Sequence, residues 1–118
     1  MPSWEAKADP AAIAPRLRAI LGERAGLSEK PMFGGICFLL RGNMLCGVGK
    51  PGFMFRVDPA KDDEAACMHG AEPMIQGGRR MRGFFWVDAQ ACAEESLRQW
   101  LSLAESYVVK MPPKTKRK

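Results

Sequence analysis

Three short apolar segments separated by glycine turns occupy the middle of the chain, and they limit what it can become. They run over 33–40 (FGGICFLL), 44–48 (MLCGV) and 53–57 (FMFRV). Gly42-Asn43 lies between the first two, and both residues tolerate positive φ. Lys50-Pro51-Gly52 lies between the second and third. Connections this short have no room for a crossover helix, so each pair must run antiparallel. Residues 32–57 are therefore expected to form a three-stranded meander.

Helical patterns flank this block. Ile13, Leu17, Ile20 and Leu21 form one stripe of a 3.6-residue period within 10–25. Pro15 suits a first turn and disrupts an interior, so the regular helix is expected to start near Ala14 or Pro15 and to stop at Gly26. Asp58-Pro59 has the form of a helix start, with Asp62, Asp63 and Glu64 at the positive end of the helix dipole and Gly70 as the stop. Those three carboxylates are explained by helix-start electrostatics without a metal. Strands are expected at 73–77 and 81–87, joined through Gly77-Gly78. The last helix carries Leu97, Trp100, Leu101, Ala104 and Val108 on one face and stops at Pro112-Pro113. The order α-β-β-β-α-β-β-α implies an α+β, two-layer fold: an antiparallel sheet with helices on one face.

A length of 118 residues fits one domain, expected over 1–110, with a basic disordered tail over 111–118. The net charge of +5 comes from Lys110, Lys114, Lys116, Arg117 and Lys118, leaving the body with 13 basic and 13 acidic side chains. A nucleic-acid reader usually carries its basic face on the folded part, so the tail offers weak, salt-sensitive contact or simply solubilises the chain. No apolar run is long enough for a membrane helix, and the N-terminal residues lack the pattern of a secretion signal. Cytoplasmic localisation and reduced thiols are expected for Cys37, Cys46, Cys67 and Cys92. Their wide spacing argues against zinc. Cys67 and His69, placed on a helix two residues apart, would project about 200° apart and share a metal poorly.

Little in the residues marks catalysis. Gly34-Gly35 and Gly77-Gly78 lack the pattern of phosphate loops. No orienting partner stands near His69 for a Cys–His pair, and no paired carboxylates are placed for acid–base work. Arg79, Arg80 and Arg82 form a basic cluster, GGRRMRG. Unbroken alternation would put Arg80 and Arg82 on one strand face with Phe84 and Trp86, where Arg beside exposed aromatics can hold a base or phosphate. The alternative puts the aromatics under a helix and the arginines in solvent. Met44, Met54, Met74 and Met81 fall in strand segments and are expected to fill core gaps; a Met-rich surface would instead suit an adaptable partner site.

Met32-Phe33-Gly34-Gly35, followed by Gly42-Asn43-Met44, by Phe53-Met54-Phe55-Arg56-Val57 and by Gly78-Arg79-Arg80-Met81-Arg82-Gly83-Phe84, resembles the N-terminal domain of the TfoX/Sxy family. So does Leu97-Arg98-Gln99-Trp100-Leu101 with Ala104, and the resemblance covers roughly residues 13–110. It implies an α+β domain from regulators of natural competence genes in bacteria, which are thought to work with a cyclic-AMP receptor protein at promoters. It implies no catalytic residues and no cofactor. Full-length regulators carry a second, helical domain, and this chain resembles only the first.

The expected function is accordingly a non-enzymatic interaction domain whose partner is a protein, such as a DNA-binding transcription regulator. Its contact surface is expected to include the exposed side of the sheet or Arg79, Arg80 and Arg82. One alternative is direct nucleic-acid binding through Arg79, Arg80 and Arg82 with Lys114, Lys116, Arg117 and Lys118. Another is a small thiol or metal-dependent enzyme. A homodimer through an exposed sheet edge is a further expectation.

Overall fold

The computed structural model describes residues 10–32, 35–68, 70–90 and 92–112. Helix α1 (Pro10–Leu21) leads into strands β1 (Leu27–Met32), β2 (Gly35–Leu40), β3 (Asn43–Gly49) and β4 (Gly52–Arg56). A 3-10 turn (Pro59–Lys61) and the short helix α2 (Asp62–Ala66) follow. Strands β5 (Ala71–Gln76) and β6 (Arg79–Val87) precede the long helix α3 (Glu94–Val108). The six strands form one antiparallel sheet in the order β1-β2-β3-β4-β6-β5.

The fold is α+β in the expected order, with one edge strand added ahead of the meander. Strand β1, LSEKPM, lacks an apolar alternation because it borders only β2 and stays largely exposed. Both outer strands contain a proline, Pro31 in β1 and Pro73 in β5. Proline removes a ladder donor and blunts an edge against further strand pairing. This weakens the case for a dimer built by edge-to-edge addition.

Helices α1 and α3 pack across β2, β3 and β4, while α2 covers β5 and β6. Beneath them lie Phe38, Leu45, Phe53, Phe55, Phe85 and Val87, all buried. Trp100 is the centrepiece. It is fully buried, stacked on Phe55 at 5.3 Å between ring centroids and tilted against Phe85 at 5.6 Å. Such aromatic pairs add about 0.5–1.5 kcal/mol beyond their area burial. The α3 stripe read from the sequence is the buried set Leu97, Trp100, Leu101, Ala104 and Val108. Arg16 ties α1 to the segment before α3, donating to the carbonyl oxygens of Ala89 (2.9 Å) and Cys92 (2.6 Å).

Local expectations shift at three places. Helix α1 begins before Pro15 and contains it. Pro15 lies on the exposed side, where the Ala11 carbonyl that it cannot serve can turn to water. The helix stops at Gly22, φ 61°, rather than at Gly26. The β2–β3 turn is Arg41-Gly42, not Gly42-Asn43, and Arg41 takes φ 52°. Tertiary bonds hold it there: its N–H donates to the Gly26 carbonyl at 2.7 Å and its guanidinium to that of Val109 at 2.8 Å. Asn43, freed from the turn, is buried and donates to the Pro112 carbonyl at 2.9 Å.

Candidate functional site

The helices cover one face of the sheet. On β4, Phe53 and Phe55 point under them, so Met54 between them points the other way. On β6, Phe85 and Val87 face the helices and Phe84 and Trp86 face away. The same outward face receives Cys37 from β2, Met44, Gly47 and Gly49 from β3, and Met74 from β5. Together with Met81 they line a groove of about 400 Å³. In a flat sheet β2 and β5 would stand about 19 Å apart, four strand spacings. That both line one groove means the sheet curls around it.

The methionines correct one expectation. None of Met44, Met54, Met74 and Met81 belongs to the helix-side core; all four line this groove. Met54 and Met74 are 8% exposed although none of α1, α2 and α3 packs over them, because the curled sheet and its neighbours enclose them. Met44, Met81, Phe84 and Trp86 are half-buried. The floor is shaped by Gly49, where a Cβ would stand 3.1 Å from Cη2 of Trp86, so the indole lies directly on the backbone. Unbranched methionines around an aromatic pair make a surface that can re-pack against different apolar shapes.

Gly83 decides which residues share that face. It sits at φ 85°, a left-handed conformation, and a Cβ there would stand 2.6 Å from the Val57 carbonyl oxygen. It forms a bulge: β5 pairs Pro73 with Phe85 but Ile75 with Arg80. From Pro73 to Ile75 β5 advances two residues while β6 spans five, from Phe85 to Arg80, and this odd surplus shifts the alternation, so Arg79 and Met81 share the groove face with Phe84 and Trp86, while Arg80 and Arg82 turn to the other side.

There the arginines meet Asp62. Arg80 makes a two-pronged pair with its carboxylate, at 3.0 Å and 2.9 Å, and Gly83 N–H donates to it at 2.7 Å. Arg82 lies 3.9 Å from the same carboxylate and donates to the Pro59 carbonyl at 3.3 Å. Asp62 is 2% exposed. Burial pushes its carboxyl up, but the Arg80 and Gly83 hydrogen bonds and the charges of Arg80 and Arg82 outweigh that and hold it below the usual Asp range. Asp62 thus does more than sit at a helix start: it fastens α2 to the β6 bulge. Arg80 is engaged with Asp62, and Arg79 is exposed at the start of β6. Lys114, Lys116, Arg117 and Lys118 lie outside the described residues, as do Phe33, Gly34 and His69.

The thiols are poor nucleophiles where they are buried. Burial pushes Cys37 up to about 11, with nearby Lys30 opposing, and pushes Cys46 well above the usual thiol value. Cys92 is raised by burial too, with Arg16 opposing. Thiolate is the reactive form, so at neutral pH Cys37 offers the groove a small apolar surface. Only Cys67, in the turn after α2, is exposed. An aromatic disulfide reagent at pH 7 is expected to label one thiol per folded chain quickly and the other three only on unfolding. Rapid labelling of a second thiol would show that the groove or core opens. Among the described residues no three His, Cys, Asp or Glu side chains converge as a metal site, and no helix is long and apolar enough to cross a membrane.

No curated protein and no solved structure matches the chain. The TfoX N-terminal domain family does match, over residues 19–107, a span that runs from α1 through every strand to the last turn of α3 and includes the whole groove. The chain belongs to the TfoX N-terminal domain family.

Proposed function

We propose that the chain is a non-enzymatic interaction domain of the competence-regulator kind, and that it binds a protein partner through the groove on the face of its sheet opposite the helices. The observation that carries this reading is the placement of four methionines and two aromatics on the sheet face opposite α1, α2 and α3, which no helix among the described residues covers. A domain needing only stability would bury such side chains under a helix; an apolar surface left open suits a partner's side chains. The raised thiols and the engaged Arg80 support binding over thiol chemistry or phosphate capture. The TfoX/Sxy resemblance points to a DNA-bound transcription regulator as the partner.

The test uses a purified cyclic-AMP receptor protein on a promoter duplex. Met44 and Met81 are half-buried, so replacing both by Lys should leave the fold intact, with a melting temperature within a few degrees of the unsubstituted chain. Affinity for the receptor–duplex complex is expected to fall roughly 30-fold, the size of a central interface loss of about 2 kcal/mol. Equal affinity in both chains would overturn the groove as the contact. Duplex alone, at two salt concentrations, gives the second arm. Tight, steeply salt-dependent binding by a chain ending at Pro112 would favour direct nucleic-acid recognition instead.

A further inference from the structure

The groove is apolar, but its surroundings are basic. Lys50 lines one end, in the β3–β4 turn. Arg79 stands opposite Gln76, which lines the groove where β5 turns into β6. Lys30 is paired with Cys37, and directly opposed residues of an antiparallel pair project to the same face. All three cations are exposed. At the Met44 end the Arg56 guanidinium lies over the Phe84 ring, 5.7 Å from its centroid. Among the described strand residues the register puts one carboxylate on this face, Glu72 opposite Trp86. The body as a whole is neutral, so this rim is a local concentration of positive charge around an apolar floor.

The floor also restricts the occupant's backbone. Its lining is Met, Ile, Val, Phe, Trp, Cys and Gly, with Gln76 and Lys50 as its polar side chains. The neighbouring strand backbones already pair with one another. The outer strands carry Pro31 and Pro73, which blunt strand addition. A peptide lying in the groove finds few backbone partners there, so it must satisfy its own hydrogen bonds internally. An α-helix does so and presents apolar anchors at i, i+3, i+4 and i+7. From Met44 to Gly49 the groove runs about 17 Å at the rise of a strand, which corresponds to about 11 helical residues, or three turns.

We infer that the occupant is an amphipathic helix of a protein partner, with its apolar face on the methionines and acidic residues flanking it against Lys30, Lys50 and Arg79. This rests on the groove reading above and adds the chemistry of what enters it. A second copy of this chain fits worse, because two such rims would face each other with like charge.

The experiment uses the full chain with methyl-labelled Met and three probes. The first is a peptide of about 12 residues, three turns long, with Leu at i, i+3, i+4 and i+7 and Glu beside them. The second carries Lys in place of each Glu, and the third is laurate, an apolar anion without a peptide. The Glu peptide is expected to shift the methyl signals of Met44, Met54, Met74 and Met81 and to become helical on binding. The variant Lys50→Glu with Arg79→Glu, at two exposed positions, should weaken it by roughly tenfold and strengthen the Lys peptide. Equal binding of the two peptides would overturn the inference. So would laurate displacing the Glu peptide at stoichiometric concentration, or methyl shifts that depend on protein concentration alone. If neither peptide binds while Met44→Lys with Met81→Lys still loses the receptor complex, the acidic helix is wrong and the groove reading stands. If the Glu peptide binds that methionine pair undiminished, the groove reading fails with it.

Discussion

Asp62→Ala is expected to melt about 10 °C below the unsubstituted chain. The substitution removes the acceptor of the Arg80 pair and of Gly83 N–H together. Breaking a buried ion pair by deleting one partner costs about 3–5 kcal/mol. Arg80 keeps a third of its side chain in water, so the lower end applies, about 3 kcal/mol, and a domain of this size moves a few degrees per kcal/mol. The effect also carries a pH signature. The folded carboxyl titrates below the unfolded value, about 3.9 for an unperturbed Asp. Its stabilisation is therefore complete above about pH 5 and is lost as pH falls through the lowered folded value. Thermal melts of the two chains should differ by a constant amount from about pH 5 to 8 and converge as the pH falls through the lowered folded value. A gap that stays constant into acid would show that the carboxylate's charge is not what holds α2 to β6.

Gly83→Ala is the second large loss. Alanine in the left-handed region costs about 1–2 kcal/mol. Its Cβ would also meet the Val57 carbonyl oxygen at 2.6 Å, which strains the strand junction where Val57 N–H donates to the Gly83 carbonyl. Together about 3 kcal/mol is expected. In urea the midpoint should fall by more than about 1 M with an unchanged slope. The bulge also keeps Met81 on the groove face with Phe84 and Trp86, so the methyl signals of the groove methionines should move in the surviving folded fraction. A loss under about 0.5 kcal/mol with an unmoved methyl spectrum would mean that the bulge is dispensable.

How much of this was written in the chain differs by element. The α3 stripe was legible because a half-exposed helix must alternate at its own period, and the buried residues are the ones that period selects. The meander was legible from its turns. Strand β1 was not, because an edge strand with one neighbour needs no apolar pattern and LSEKPM has none. The groove was only half legible. Segments such as FMFRV and FFWV are apolar on both faces, so their alternation cannot say which face the helices take. Met54 and Phe55 look alike until α3 places Trp100 against Phe55. Unbroken alternation would put Arg80 and Arg82 on the face of Phe84 and Trp86; Gly83 breaks it. The Asp62–Arg80 pair joins residues 18 apart across a helix and a hairpin, with no local pattern to announce it. Arg41 at φ 52° goes against its own preference because two long-range hydrogen bonds hold it.

The proposed role requires a methionine face that is open in solution and able to receive a partner. Its most direct test is the methyl spectrum of the free chain with a soluble nitroxide added. The methyl signals of Met44 and Met81 are expected to broaden strongly, and those of Met54 and Met74 to broaden less. Four groove methyls protected alike would contradict the account, because the face would then already be covered in solution.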